Sequence, residues 1–207
     1  MISRKTSSWR LHKFDPQFRL QSSDKPPIKS EAHMSAQDTT DLEVRLRAVE
    51  DRLAILDLIA GSALSSDISS RSYWAALFAE DAVLDREAGG ADLQGRATLA
   101  DIMISPGHVA GMESGMAHLC AVPHIRINGD SAVAAGYFQI IIPNPVGPDV
   151  EFASYGQAKG HMIWRLTANR WELARMAEGW QITRRSIRPV PGEEARRILR
   201  DAIGAVD

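Results

Sequence analysis

The chain has 207 residues, with 24 Lys and Arg against 26 Asp and Glu, and 44% of it is hydrophobic. That length suits one domain with a substantial core. The net charge of −2 lacks the basic excess of a general nucleic-acid binder. No apolar run approaches the ~18 residues of a membrane span, and the N-terminus shows no apolar secretory core. A single cysteine, Cys120, excludes an internal disulfide and makes a reducing compartment, the cytoplasm, the expected location.

Residues 1–38 are rich in Ser, Lys, Arg and Pro, lack periodicity, and contain the helix-blocking Lys25-Pro26-Pro27. They are expected to be a disordered extension, and 39–207 the domain. The basic, Ser-rich first ten residues faintly resemble a transit peptide; Met34 as the natural start is the simpler reading. Thr40 followed by Glu43 reads as a capping box. From 41 to 64, Leu42, Leu46, Val49, Leu53, Leu56, Ala60 and Ala63 alternate at four and three residues. This predicts an amphipathic helix packed on the domain's own sheet. Its early part is also spaced like a heptad, but over only about two heptads, so a coiled coil is the lesser reading. Gly61 suggests close packing or a bend. The next step of the stripe is Asp67. Either the helix persists and aims a carboxylate inward, where it needs a partner, or residues 65–70 end the helix and Asp67 caps the next one.

A second helix is expected over 71–79, capped by Ser69 or Ser70, with Trp74, Leu77 and Phe78 on one face. Tyr73 and Trp74 are placed to line a pocket or to fill the core. A strand over 81–85, a turn at Gly89-Gly90, a short pair at Leu93-Gln94 and a helix over 96–103 come next. The glycine-rich run 105–115, with His108, has no phosphate-binding pattern and reads as a mobile loop or lid. From residue 116 the pattern turns to strands, over 116–127, 131–142, 152–176 and 179–188. Asn128-Gly129-Asp130 and Glu178-Gly179 are turns, 143–149 is a Pro-rich loop, and Ala168-Asn169-Arg170 is the expected site of a bulge. Residues 193–206 read as a terminal helix. Helices first and antiparallel strands after predict an α+β domain, with helices on one face of a curved sheet that encloses a cone-shaped pocket.

His118 lies on a strand face with Met116, Cys120 and Val122. A lone strand histidine is ordinarily a core residue, but Asp67 offers it a partner, and an Asp–His pair is a general-base device. Arg184, Arg185 and Arg188 close the last strand; one of them facing inward would stabilise an anion, and strand parity does not select it. His161 reaches either the cavity or a surface pair with Glu151. Cys120 as a nucleophile is the weaker reading of a small buried residue. No histidine pair at metal-ligand spacing, CxxC, GxSxG or Walker-type loop occurs, so no metal or nucleotide cofactor is expected.

The runs RLRAVEDRLAILDLIAGSALSSD, YWAALFAEDAVLD, MAHLCAVPHIRINGDSAV and NRWELARMAEGWQITRR resemble the SnoaL-like branch of the nuclear transport factor 2 (NTF2) superfamily, in order and over roughly residues 41–200. The resemblance is to the scytalone dehydratase and dehydrochlorinase group. It implies a curved antiparallel sheet with three packed helices around a pocket, and a dyad working without metal or cofactor. Asp67, His118 and Arg185 match the family's aspartate, histidine and anion-stabilising arginine. The family's tyrosine near the aspartate is replaced by Ser62 and Ser66; Tyr73 or Tyr137 is the expected substitute. Tyr73, Trp74, Phe78, Tyr137 and His161 are the expected substrate contacts. The function implied is a cofactor-independent lyase on a small cyclic apolar molecule, forming a homodimer or homotrimer without nucleic-acid or membrane partners. An isomerase or cyclase with the same base, and a non-catalytic subunit like that of a ring-hydroxylating dioxygenase, are the alternatives.

Overall fold

The structure, a computed structural model, describes residues 36–86, 91–154 and 156–204. The expectations for 1–35 and for the Gly89-Gly90 turn lie outside the described residues. Contacts divide the chain after Thr40, and the unit from Asp41 onward carries the sheet and the candidate site.

Helix α1 (Ala36–Asp67) is already formed four residues before Thr40, so Thr40 is not its cap. It also runs on through the serines to Asp67. Serines usually favour helix ends because their hydroxyls compete for backbone groups. Here those hydroxyls bond within the helix: Ser62 Oγ donates to the Ile59 carbonyl at 2.7 Å and Ser66 Oγ to the Ser62 carbonyl at 2.9 Å. The helix stops where Ser69 adopts φ +51°. The predicted inward stripe is exposed in its first part and rejoins the domain at Leu56, Ala63 and Asp67. Leu42, Leu46, Val49 and Leu53 are all more than half exposed, whereas Ile55, Ile59, Ser62 and Ser66 are buried. The docked face is pinned by Asp51, which accepts from Arg175 Nη1 at 2.7 Å and from Trp180 Nε1 at 3.1 Å. Docking begins at that polar anchor, with two isoleucines below it, and the leucine-bearing turns before it are exposed on every side.

Helix α2 (Arg71–Ala76) is capped by Ser70, whose hydroxyl accepts from the Tyr73 amide at 3.4 Å. It is shorter than expected, because Phe78 already opens strand β1 (Phe78–Asp85). Tyr73 lies over Gly61, where a Cβ would come within 2.6 Å of its hydroxyl oxygen; the glycine serves close packing. Next along the chain are strand β2 (Leu93–Gln94), helix α3 (Arg96–Asp101) and a 3-10 turn (Ile102–Ile104). The expected lid loop is instead helix α4 (Pro106–Glu113). Ser105 caps it, accepting from the His108 amide, and Pro106 suits its first turn, where no N–H is needed.

Strands β3 (Ala117–Cys120) and β4 (His124–Asn128) divide the single strand expected there at Pro123. After them come β5 (Ser131–Pro143), the β6 (Val150–Phe152) and β7 (Gly156–Ala158) hairpin, β8 (His161–Met176), β9 (Gly179–Pro189) and helix α5 (Glu193–Ile203). The main sheet runs β2-β1-β9-β8-β5-β3, with β4 also on β5. It is antiparallel except that β1 lies parallel to β9, against the all-antiparallel expectation. Residues 168–170 are in regular register; the irregularities skip Trp164 in β8 and Thr183 in β9. One sheet face carries Phe138, Trp171, Leu173 and Ile182 under the docked part of α1. α5 packs on the other face, over Ala168, through Ala195 and Ile198. Helices therefore cover both faces, five among the described residues, rather than three on one.

Removing three carbons at a fully docked position leaves a cavity, costing about 2–5 kcal/mol. Ile59→Ala is expected to lose stability in that range, read from the urea midpoint.

Candidate active site

Asp67 and His118 come from different elements, 51 residues apart in the chain. The last turn of α1 delivers the carboxylate; β3 delivers the imidazole. His118 Nδ1 donates to Asp67 Oδ1 at 2.7 Å, and the His118 amide donates to the same oxygen at 3.0 Å. A carboxylate only accepts, so the imidazole proton sits on Nδ1 and leaves Nε2 as a free base. The histidine side chain is 10% exposed and the aspartate 27%. Burial pushes the His118 pKa below its ordinary value; the hydrogen bond and charge of Asp67 oppose this, while His108 and Arg185 add to it.

On the inner sheet face His118 stands opposite Ile140, with Phe138 and Cys120 paired beside them. The same face continues through Trp171 to Arg185. Arg185 reaches that face because of the extra residue at Thr183. Strand parity would set Ile182 and Arg184 on one side; the bulge moves the core side to Ile182 and Arg185. Arg184 is left to pair with Asp85 at 3.0 Å, and Arg188 also binds Asp85. Arg185 is 4% exposed. Its Nε donates to Asn169 Oδ1 at 3.0 Å, and its guanidinium lies 4.7 Å from the Phe138 ring centre and 5.6 Å from that of Trp171. Among the described residues no carboxylate pairs with it. Desolvation lowers its pKa to about 10, which still leaves it charged at neutral pH.

These groups border a hollow of ≈140 Å³ whose wall includes Ser66, Trp74, Met103, His108, Phe138 and Ile140 besides His118 and Arg185. A larger groove of ≈660 Å³ lies on the α5 side, against Arg126, Arg170, Glu172 and Asp201. It contains neither member of the dyad, so the smaller hollow is the candidate site.

Of the residues expected to touch a substrate, Trp74 lines the hollow. Phe78 is fully buried behind it, its ring centre 5.3 Å from that of Trp74, and does not reach the hollow. Tyr73 is half exposed over α1. Tyr137, one residue from the inward Phe138, is on the opposite face and 44% exposed. His161 is exposed at the start of β8, opposite Pro143. Neither tyrosine therefore replaces the one the resemblance implies. Ser66 lines the hollow, but its hydroxyl is donated to the Ser62 carbonyl. Burial raises the Cys120 thiol pKa, and its Sγ donates to the Ala121 carbonyl at 3.3 Å, an arrangement that suits a core residue.

His108, expected only as part of a mobile loop, belongs to the site. Its ring stacks on that of His118, centres 6.0 Å apart and planes 19° apart. Its Nε2 donates to the Ser66 carbonyl at 2.9 Å, which places α4 against the end of α1. The Ser105-Pro106 cap signal would have announced the helix and so fixed where His108 points. Among the described residues no three His, Cys, Asp or Glu side chains converge as a metal site, and no helix is long and apolar enough to cross a membrane.

Because Asp67 supports the protonated imidazole, Asp67→Asn is expected to lower the His118 titration midpoint further. An NMR titration of the ring protons measures this; an unchanged or higher midpoint would contradict the assigned causes.

Among solved structures, an NTF2-like protein with a cystatin-like fold from Novosphingobium aromaticivorans is 28% identical. The match covers 80% of this chain and 99% of that one, with a TM-score of 0.70. A protein of unknown function from Mycobacterium tuberculosis matches at 17% identity over 83% and 93% of the two chains, TM-score 0.51. A candidate dehydratase of the NTF2-like family from Streptomyces avermitilis matches at 14% over 69% and 99%, TM-score 0.50. No curated protein matches the chain. The model of the SnoaL-like domain matches residues 47–186, which take in the dyad, the strand bulge and Arg185. On that match the chain belongs to the SnoaL-like family, within the NTF2-like superfamily.

Proposed function

We propose that this protein is a cofactor-independent lyase acting on a small, mostly apolar cyclic molecule, with His118 as general base and Asp67 as its orienting partner. The 2.7 Å contact between them at the wall of the hollow carries the reading. The alternative of a non-catalytic subunit gives no reason for a carboxylate to be held on a buried imidazole. The size of the hollow supports a compact substrate: an apolar cavity of about 150 Å³ takes one benzene.

In the proposed reaction His118 Nε2 removes a proton from carbon next to an electron-withdrawing group. The C–H electron pair forms the new C=C bond as the leaving group departs with its own bonding pair. Where that group is hydroxide, the proton returns to it as water; where it is halide, the proton passes to solvent. Asp67 stabilises the imidazolium between these steps, and Arg185 faces the developing anion in a site of low polarity, where such a charge acts strongly. Burial keeps His118 neutral near pH 7, the state a base requires.

His118→Ala is expected to reduce turnover by about 10²–10⁴-fold without loss of folding. A screen of cyclic hydroxy-ketones and halocarbons, read by mass spectrometry, tests it. Loss of water or acid supports elimination; an unchanged product mass supports the isomerase or cyclase; full activity in the variant removes the mechanism.

Arg185 supplies a separate test. A buried guanidinium with one hydrogen bond is a poor contributor to stability, and apolar replacement of such groups is often neutral or stabilising. Arg185→Met is expected to hold or raise the urea midpoint while lowering turnover. A large fall in both would make the arginine a structural residue.

A further inference from the structure

Helix α1 has two apolar faces, and the domain uses one of them. The other carries Leu42, Leu46, Val49 and Leu53, exposed by 51%, 54%, 55% and 56%, and ends at the partly buried Leu56. Four large side chains in one row, each half in water, form a contiguous apolar strip on the outer turns of a helix that docks on the domain only from Asp51 onward. We infer that this strip is the seam of a parallel two-stranded coiled coil with a second copy of this chain.

Spacing and charge both support that occupant. Leu42, Val49 and Leu56 take the d positions of a heptad, and Leu46 and Leu53 the a positions. The flanking e positions are then Glu43, Glu50 and Asp57, all acidic, and the g positions are Arg45 and Arg52, both basic. In a parallel pair each g residue meets the e residue of the next heptad across the seam, so Arg45 faces Glu50 of the partner subunit and Arg52 faces Asp57 of the partner subunit. An antiparallel pair would set arginine on arginine and carboxylate on carboxylate. Like charges so placed select against that orientation. Within the chain, Glu43, Arg45 and Glu50 form no ion pair with a described residue, whereas Arg52 also donates to the Ile125 carbonyl at 3.2 Å.

Two heptads are short for a free coiled coil, because an isolated helix of that length has to be nucleated as the pair forms. Here docking from Asp51 through Ile55 and Ile59 supplies the helical nucleus, so the outer turns extend a helix already started rather than nucleating one. Leu42, Leu46, Val49 and Leu53 lie on the side away from Asp51, and among the described residues nothing covers them.

Light scattering on the full chain tests the proposal. The wild type is expected to have at least twice the chain mass. Arg45→Glu places acid against acid across the seam and Glu50→Arg base against base; each is expected to halve the mass with unchanged helical circular dichroism. Mixing the two variants, or combining both changes in one chain, restores opposite charges and is expected to restore the mass. Capture of the seam by this chain's own residues would give a monomeric wild type, which overturns the proposal. An unchanged mass in both single variants overturns it too, and failure of the mixture to recover overturns the parallel pairing.

Discussion

A carboxylate at the end of a long helix holds an imidazole on a strand, and that bond joins the two elements on which the site is built. Asp67 Oδ1 accepts from both the amide and the ring of His118. One oxygen thus ties the strand backbone and the ring to the same end of the helix. Bonding the ring and the backbone from one acceptor also selects the tautomer, because Nδ1 is committed and Nε2 is left for chemistry. α4 adds a second constraint from the other side, since His108 stacks on His118 while bonded to the carbonyl of Ser66, one residue before Asp67.

Arg185 shows the opposite balance. It is buried against aromatic rings with Asn169 as its one side-chain acceptor, and its environment works against its charge. A sheet selected for stability alone would place an apolar residue there. The bulge at Thr183 that brings it inward is itself a break in the ladder. Two unfavourable features that jointly put a cation on the same sheet face as His118 fit the proposed reaction, in which an anion would form in the hollow.

The order of helices first and strands after was legible from turn residues such as Gly129, whereas the Gly204 end of α5 falls inside the helix expected over 193–206. Asp67 and His118 were legible as a pair, since an acid on an inward helix face and a histidine in an apolar strand each require a partner. Where α1 begins to dock was not, because its leucine-bearing turns lie before the first buried residue, Asp51. Asp51 is held by a salt bridge to Arg175, 124 residues away, and no local pattern contains it. The side reached by Arg185 was equally hidden, for a one-residue bulge inverts parity and Thr183 has no feature that marks it. Tyr137, expected to touch a substrate, is excluded by its alternation with the inward Phe138, which sets it on the opposite face.

The two faces of α1 divide the work of one helix along its length. The apolar seam closes at Leu56, and Asp67 lies three turns further on, about 16 Å along the axis. Between them Gly61 admits Tyr73, and the serines bond back along the helix. From Ile55 onward the helix is fixed by the domain, so pairing of the outer turns would bring two domains together without shifting either carboxylate. A mutation at the seam would then alter assembly and leave the dyad in place, because the helix between them is anchored along its whole course.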